Sequence, residues 1–438
     1  MEKAEENNIF DLQYYEKLGF NNFDLWSDKD VADFLILDYL NTYKKIKWAK
    51  DINESSFIEG QKRHIENYNR YRILLDFLDK NFLKLYSRLK KDGKKKILFE
   101  ESKYFHIISE AKKHYQTRLI AQGKKDRLFA ILNLTGYIQT NDLEQLVIFY
   151  LENKDIKYLR RLVFKIEERL MIVKPDYIVL TYDVFPIERA IVMIGRKLGI
   201  PVLVIQHAIH NMPNPVLDFK TAEYVLVWGN YFKEICLTKN MRKPENVYVL
   251  GYPHTIEKKG GSLANKSALV VCYLGQDLQR HNKELLKVKL GTINYLSEIC
   301  KKLNIKFIYR HHYAEDRGFL MKKLPNIRFT PEKEKLENTL DKADIFISFS
   351  STSLVEAAIR SKISLQLMNY PAYVDNFEKL GACNKSFKTV EEVAQYLEKI
   401  AKAPDAEEFK VGFNNDYIET RYDASRRFLE VIGKISKK

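Results

Sequence analysis

Four consecutive hydroxyl residues, Ser350-Ser351-Thr352-Ser353, follow the apolar run Asp344–Phe349 and precede a helical pattern, Leu354-Val355-Glu356-Ala357-Ala358. A helix that starts here leaves its first backbone N–H groups without intrahelical partners, and small hydroxyls beside them complete a cradle for phosphate. Glu356 falls one turn into that helix, within reach of the ribose hydroxyls of a nucleotide whose phosphate sits at the cap. Ser353-x-x-Glu356 also reads as a capping box, which would turn Glu356 back onto its own backbone. A box uses one hydroxyl, and four stand here.

A second group closes another apolar run, where Phe307-Ile308-Tyr309 leads into Arg310-His311-His312-Tyr313. Adjacent residues on an extended chain point to opposite faces, so one of His311 and His312 can enter a site while the other packs or meets solvent. That spacing argues against one metal ion held by both, and no metal or cofactor is expected. Arg310 with one histidine suits a diphosphate or a departing phosphate. Gly275-Gln276 ends a further run, and a glycine there permits close approach of backbone to phosphate. In the first half, Thr181-Tyr182-Asp183 and Gln206-His207-Ala208 close two more runs. Asp183 or His207 is placed to take a proton from an attacking hydroxyl. Asp183 can equally cap the helix that starts near Pro186.

These groups share a setting: each lies at the carboxyl end of a short apolar run, and amphipathic helical patterns separate the runs. Strands are expected at Lys96–Glu100, Thr117–Ala121, Tyr177–Thr181, Pro201–Ile205, Tyr224–Trp228 and Val247–Leu250. After the polar stretch 254–267 they resume at 268–274, 305–309, 326–329, 344–349 and 363–367, with helices over 282–303, 353–360, 389–402 and 417–435. This alternation marks a parallel sheet covered on both faces. Two such sheets in series predict two Rossmann-like domains facing across a cleft, where ligands of such folds bind. Residues 1–90 read instead as helices, among them Val31–Leu40 and Ile73–Tyr86. Asp28-Lys29-Asp30 has the D-x-D form that can hold a metal-bound nucleotide sugar. It opens a helix and does not end a strand, so it reads as a cap.

The 438 residues carry 73 Lys and Arg against 58 Asp and Glu, a formal charge of +15. Hydrophobic residues at 45% and charged residues at 30% exclude a disordered or fibrous chain. The excess charge favours phosphate-bearing partners, but no basic stripe with interleaved aromatics is present, so nucleic acid is not expected. One lysine cluster (Lys90, Lys91, Lys94, Lys95, Lys96) reads as a solvated turn, or as a patch for peripheral membrane contact. The four cysteines are scattered with no C-x-x-C pair, which fits a reducing compartment. The acidic first residues form no signal peptide, and no run approaches the ~18 apolar residues of a spanning helix. A cytoplasmic protein, at most peripheral at the inner face of the plasma membrane, is expected.

Lys174-Pro175-Asp176, Gly199-Ile200-Pro201, Ile205-Gln206-His207, Val227-Trp228-Gly229 and Gly251-Tyr252-Pro253 together resemble bacterial surface-polysaccharide glycosyltransferases of the GT-B fold. Arg310-His311-His312, Asp344 and Ser350-Ser351 look like the nucleotide half of the same group, which includes capsule sialic-acid and Kdo transferases and CDP-glycerol glycerophosphotransferases. The resemblance covers about the last 60% of the chain, and the helical extension (1–90) matches nothing in the group. The expected division beyond it is an acceptor-side domain (91–258), a donor domain (259–415) and a last helix (416–438) crossing back to the first domain. The resemblance implies transfer of a sugar, of CMP-activated sialic-acid or Kdo type, from a nucleotide donor to a hydroxyl of a surface or lipid-linked glycan, without metal. Donor contacts would come from Gly275, Gln276, Arg310, His311, His312, Ser350–Ser353 and Glu356, and the base would be His207 or Asp183. The group's Gln-His-Gly and His-Pro are here Gln206-His207-Ala208 and His312-Tyr313, which leaves uridine and thymidine donors open. A sugar-nucleotide epimerase of the same fold, or a polyol-phosphate transferase, are the alternatives.

Overall fold

The computed structural model describes residues 12–37, 93–100, 104–121, 136–139, 141–207, 209, 219–254, 268–276, 283–313, 315–370, 375–404, 406, 409 and 413–437. The helix expected at 73–86, Lys90, Lys91, Ala208 and the polar stretch from 255 to 267 lie outside these residues. The chain forms two compact units. Unit 1 comprises residues 1–207, 214–254 and 421–438, and unit 2 comprises 208–213 and 255–420.

Unit 1 opens with α1 (Leu12–Leu18) and α2 (Asp28–Ala32) and continues through β1 (Lys96–Phe99), α3 (Phe105–His114), β2 (Gln116–Ala121), β3 (Gly136–Gln139), α4 (Asn141–Asn153) and α5 (Lys157–Val173). Next come β4 (Tyr177–Leu180), α6 (Pro186–Lys197), β5 (Val202–Ile205), β6 (Tyr224–Val227), α7 (Asn230–Thr238) and β7 (Val247–Val249). The strands pair in parallel in the order β3-β2-β1-β4-β5-β6-β7, with Phe99 aligned on Val179. Every residue of β4, β5 and β6 is buried. That is why they read as unbroken apolar runs: a parallel sheet has helices on both faces. Helix α6 starts with Pro186 in its first turn and is followed by Gly199 at φ 66°, a left-handed stop that glycine adopts without strain.

Unit 2 repeats the scheme with β8 (Val270–Leu274), α8 (Lys283–Lys302), β9 (Lys306–Arg310), α9 (Arg317–Lys323), β10 (Arg328–Phe329), α10 (Leu336–Lys342) and β11 (Ile345–Ser348). It closes with α11 (Thr352–Ile359), β12 (Ile363–Leu367), β13 (Lys385–Phe387) and α12 (Val390–Lys402). The order is β10-β9-β8-β11-β12-β13, all parallel, with Ile347 opposite Tyr273. Both sheets therefore reverse direction beside their first strand, at β1/β4 and at β8/β11. Ligands of doubly wound sheets bind at the carboxyl ends of strands at this switch point. A last helix, α13 (Ala424–Ile435), returns to unit 1, where Phe428 packs 5.8 Å from the ring of Phe99 in the core under β1.

The N-terminal segment is part of unit 1. Tyr15, Phe20, Phe23, Trp26 and Phe34 form an aromatic cluster with ring centroids 5.1–5.8 Å apart. The cluster meets α6, where the fully buried Arg189 donates to the Phe34 carbonyl at 2.8 Å and Arg196 lies 4.7 Å over the Phe20 ring. Asp30 accepts from the Ser27 N–H and Ser27 from the Asp30 N–H, a capping box that accounts for the D-x-D sequence without metal. Of the lysine cluster, Lys94 and Lys96 donate to the carbonyls of Lys113 and Val173, at the ends of α3 and α5. Cations there offset the negative end of the helix dipole. No helix among the described residues is long and apolar enough to cross a membrane. All four cysteines are buried and unpaired, and burial pushes each thiol up to about 12, which removes them as nucleophiles.

Candidate functional site

At the switch point of unit 2, Ser351 is the N-cap of α11, with extended backbone and its hydroxyl accepting from Ser353 N at 3.2 Å. Ser353 is therefore already helical, and the Ser353–Glu356 box does not form. The register shifts the cap by two residues and leaves Glu356 half-buried on the second turn. The Ser351 and Thr352 N–H groups have no partner among the described residues. Thr352 Oγ1 accepts from the Ile209 N–H at 3.4 Å. Two open donors and small hydroxyls at a helix N-terminus form an anion cradle.

Gln276 fixes the entrance to that cradle. Its Oε1 accepts from the Ser350 N–H at 3.0 Å, and its Nε2 donates to Ser350 Oγ at 3.0 Å. Ser350 thus holds the loop in shape, while Ser351, Thr352 and Ser353 surround the cap. A Cβ on Gly275 would collide with the Tyr309 hydroxyl and the Glu315 carboxylate, so glycine at this position serves the packing of two side chains of its own domain.

The residues after β9 also part company. Arg310 donates to Thr339 Oγ1 at 2.7 Å and to the Glu334 carbonyl at 3.0 Å, tying β9 to the start of α10. Two of its five N–H donors are used in this strut between β9 and α10. His311 Nδ1 lies 3.1 Å from Arg317 Nη1, which can only donate, so the ring accepts there and carries its proton on Nε2. Burial, reinforced by Arg317, lowers the pKa of His311, so a neutral Nε2–H donor persists at neutral pH. His312 is half-buried, its backbone N–H on Glu315 at 2.6 Å and its ring 4.3 Å from that of Tyr313.

In unit 1 the two base candidates separate sharply. Asp183 is fully buried, and its carboxylate accepts from the backbone N–H groups of Phe219 (2.6 Å), Thr221 (2.6 Å) and Ala222 (2.9 Å). It pins the 219–222 loop to the end of β4 and does not cap α6, whose N-cap is Phe185. His207 is half-buried at the end of β5, with its ring 3.9 Å from that of Tyr182. Beside it, Gln206 is fixed through its carbonyl and side chain by Trp228, at 2.7 and 2.8 Å.

Sequence reasoning missed two pairs. Glu100, at the end of β1, and Glu188, in the first turn of α6, are both buried, and Glu100 accepts from the Thr181 N–H and, at 3.4 Å, the Tyr182 N–H. Burial, and then the neighbouring Glu188 carboxyl, raise the pKa of Glu100 well above the ordinary carboxylate range, which favours its protonated form. The other pair is Lys289 and Glu315 in unit 2, joined by a buried ion pair. The one sequence signal for it was a lysine on the apolar stripe of α8, flanked by Leu285, Leu286, Leu290 and Ile293. Among the described residues no cluster of His, Cys, Asp or Glu could hold a metal ion.

No protein-family model matches the chain, and no curated protein does. Solved structures do. A UDP-GlcNAc 2-epimerase from Neisseria meningitidis, bound to UDP-GlcNAc, is similar at 15% identity and a TM-score of 0.55, over 77% of this chain and 99% of that one. A glycosyltransferase from Rickettsia africae is similar at 13% identity and 0.54, over 79% and 99%. A UDP-GlcNAc 2-epimerase from Methanocaldococcus jannaschii is similar at 16% identity and 0.51, over 78% and 99%. At these identities the likeness shows the fold, which is the two-domain α/β architecture of GT-B enzymes.

Proposed function

We propose that this chain is a nucleotide-sugar enzyme of the GT-B fold that transfers a glycosyl group to a hydroxyl of a surface or lipid-linked glycan. The observation that carries the reading is the N-terminus of α11: two backbone N–H groups without a partner among the described residues and three small hydroxyls, at the switch point of a doubly wound sheet. They would hold the donor phosphate, with the His311 Nε2–H as a further neutral donor. Glu356, one turn further on, would accept from the ribose hydroxyls. These dipoles stabilise negative charge developing on the leaving nucleotide, and no metal is needed for that role. His207 would take the proton from the attacking hydroxyl. The donors weighed in the sequence stand open: a CMP-activated sialic-acid or Kdo sugar, or a uridine or thymidine sugar nucleotide. Exposed lysines at 94, 95 and 113 give unit 1 a cationic surface for a peripheral contact with anionic lipid.

A thermal-shift series with CMP, CDP, UDP, dTDP and GDP tests the reading, because a ligand that binds only the folded state raises the melting temperature. Glu356→Ala should weaken the stabilising nucleotide by about tenfold, an amount in keeping with loss of one charge-assisted hydrogen bond. His207→Ala should cut turnover by about 100-fold with the nucleotide affinity retained. If no nucleotide shifts the melting temperature at millimolar concentration, the cradle is not a nucleotide site. The likeness to two epimerases favours a second reading, epimerisation of the sugar nucleotide itself. Incubation of donor without acceptor separates the two, since an epimerase converts the donor fully and a transferase at most hydrolyses it slowly.

A further inference from the structure

Behind the cradle and the histidine loop lies a charge pair that the proposed chemistry does not use. Lys289 on α8 is 1% exposed and Glu315, just past the histidines, 7%. Two charges removed from water require polar partners beyond each other. Here those partners belong to the functional loops. Glu315 accepts from the His312 N–H at 2.6 Å and from the Tyr309 hydroxyl at 2.8 Å, and Lys289 donates to the Gln276 carbonyl at 3.1 Å. Gln276 in turn holds Ser350 through both ends of its amide. An unbroken path therefore runs Ser350–Gln276–Lys289–Glu315–His312 through the ends of β11, β8 and β9. The Gly275 N–H donates to the Arg310 carbonyl at 2.7 Å alongside it, and the Tyr309 hydroxyl and Glu315 carboxylate occupy the space a Cβ on Gly275 would fill.

We propose that Lys289 and Glu315 are the positioning pair of this site: they set the hydroxyl cradle and the histidine loop in one fixed geometry without touching the ligand. The ligand consequence rests on the nucleotide reading above, and the geometric consequence does not. An apolar pair of similar volume would fill the same space, but only directional bonds from two charged groups fix two loops at once.

Replacing Lys289→Met together with Glu315→Gln removes both charges and leaves an amide oxygen for His312 and Tyr309. The expected result is a melting temperature close to that of the wild type. Exchange of the Ser350 and His312 amide hydrogens should be at least about tenfold faster, with Ile347 in β11 unchanged. Affinity for whichever of CMP, CDP, UDP, dTDP or GDP the wild type binds should fall by at least about tenfold. Unchanged exchange at Ser350 and His312 overturns the proposal. A measurement on the wild type alone decides it should the double variant fold poorly: the two amides should open in one event, with the same dependence on urea, and different slopes overturn it. A wild type that binds no nucleotide defeats the functional reading, while the exchange data still decide the positioning one.

Discussion

The two switch points have the same strand topology and opposite electrostatics. In unit 2 the polar groups beneath the loops are a lysine and a glutamate, which neutralise each other and leave the site above them rich in neutral donors. In unit 1 the end of β1 and the start of α6 hold two buried carboxyl groups, Glu100 and Glu188, and Glu100, its pKa raised by burial and by Glu188, accepts from backbone N–H groups of the 181–182 turn. The topology fixes where polar residues gather. Which charges gather there decides the pH range over which each unit responds.

The sharpest way to break this comparison is through Asp183. Asp183→Ala strands three buried N–H groups, each at about 1–3 kcal/mol, so a loss of about 3 kcal/mol or more in urea unfolding is expected, with Asp183→Asn recovering part of it. Normal stability with abolished turnover would return Asp183 to the chemistry and make unit 1 a two-residue acid–base site.

Glu100 provides the next test. Its folded pKa lies above the unfolded value, so its contribution to stability is complete below the ordinary glutamate value of 4.5 and is lost as pH rises through the folded pKa. Glu100→Gln keeps an oxygen for Thr181 and gives Glu188 a donor. The variant should melt several degrees higher than the wild type at pH 8, by about 2–4 °C per kcal/mol, and show little gain at pH 4. A wild type whose melting temperature is flat from pH 5 to 8 would remove the contrast between the units.

The smallest effect is expected at His311. Its folded pKa is depressed below 6.5, so the unfolded chain takes up a proton first and stability falls as pH drops below about 6.5. His311→Gln should flatten that limb of the curve. Nuclear magnetic resonance titration of the imidazole should place its pKa below the ordinary histidine value.

The sheets were legible because buried parallel strands write themselves as uninterrupted apolar runs; β12 was read at its observed bounds, 363–367. Strands β3 and β13 escaped, the first carrying Gly136 and Gln139 and the second, Lys385-Ser386-Phe387, being short and only partly buried. The cradle was legible too, since four hydroxyls between a strand and a helix are a local signal. The partners of Asp183, Arg310 and Gly275 were not. Asp183 finds its amides 36–39 residues away, Arg310 its acceptors 24 and 29 away, and Gly275 is required by a glutamate at position 315. A residue type at a strand end announces that something polar happens there. Only the fold says whether its partner is a substrate or the protein's own backbone.

Helix α13 carries a consequence for biosynthesis. Phe428 and Ile432 belong to the core beneath β1, and the Ser436 hydroxyl meets that of Tyr177, yet all of unit 2 lies between them and the strands they cover. A ribosome therefore delivers the lid of the first hydrophobic core only after the second domain has been translated in full. Unit 2 has all its strands available earlier and can reach its native state co-translationally. Unit 1 must keep an apolar face waiting meanwhile, which makes it the part of the nascent chain with most to gain from a chaperone.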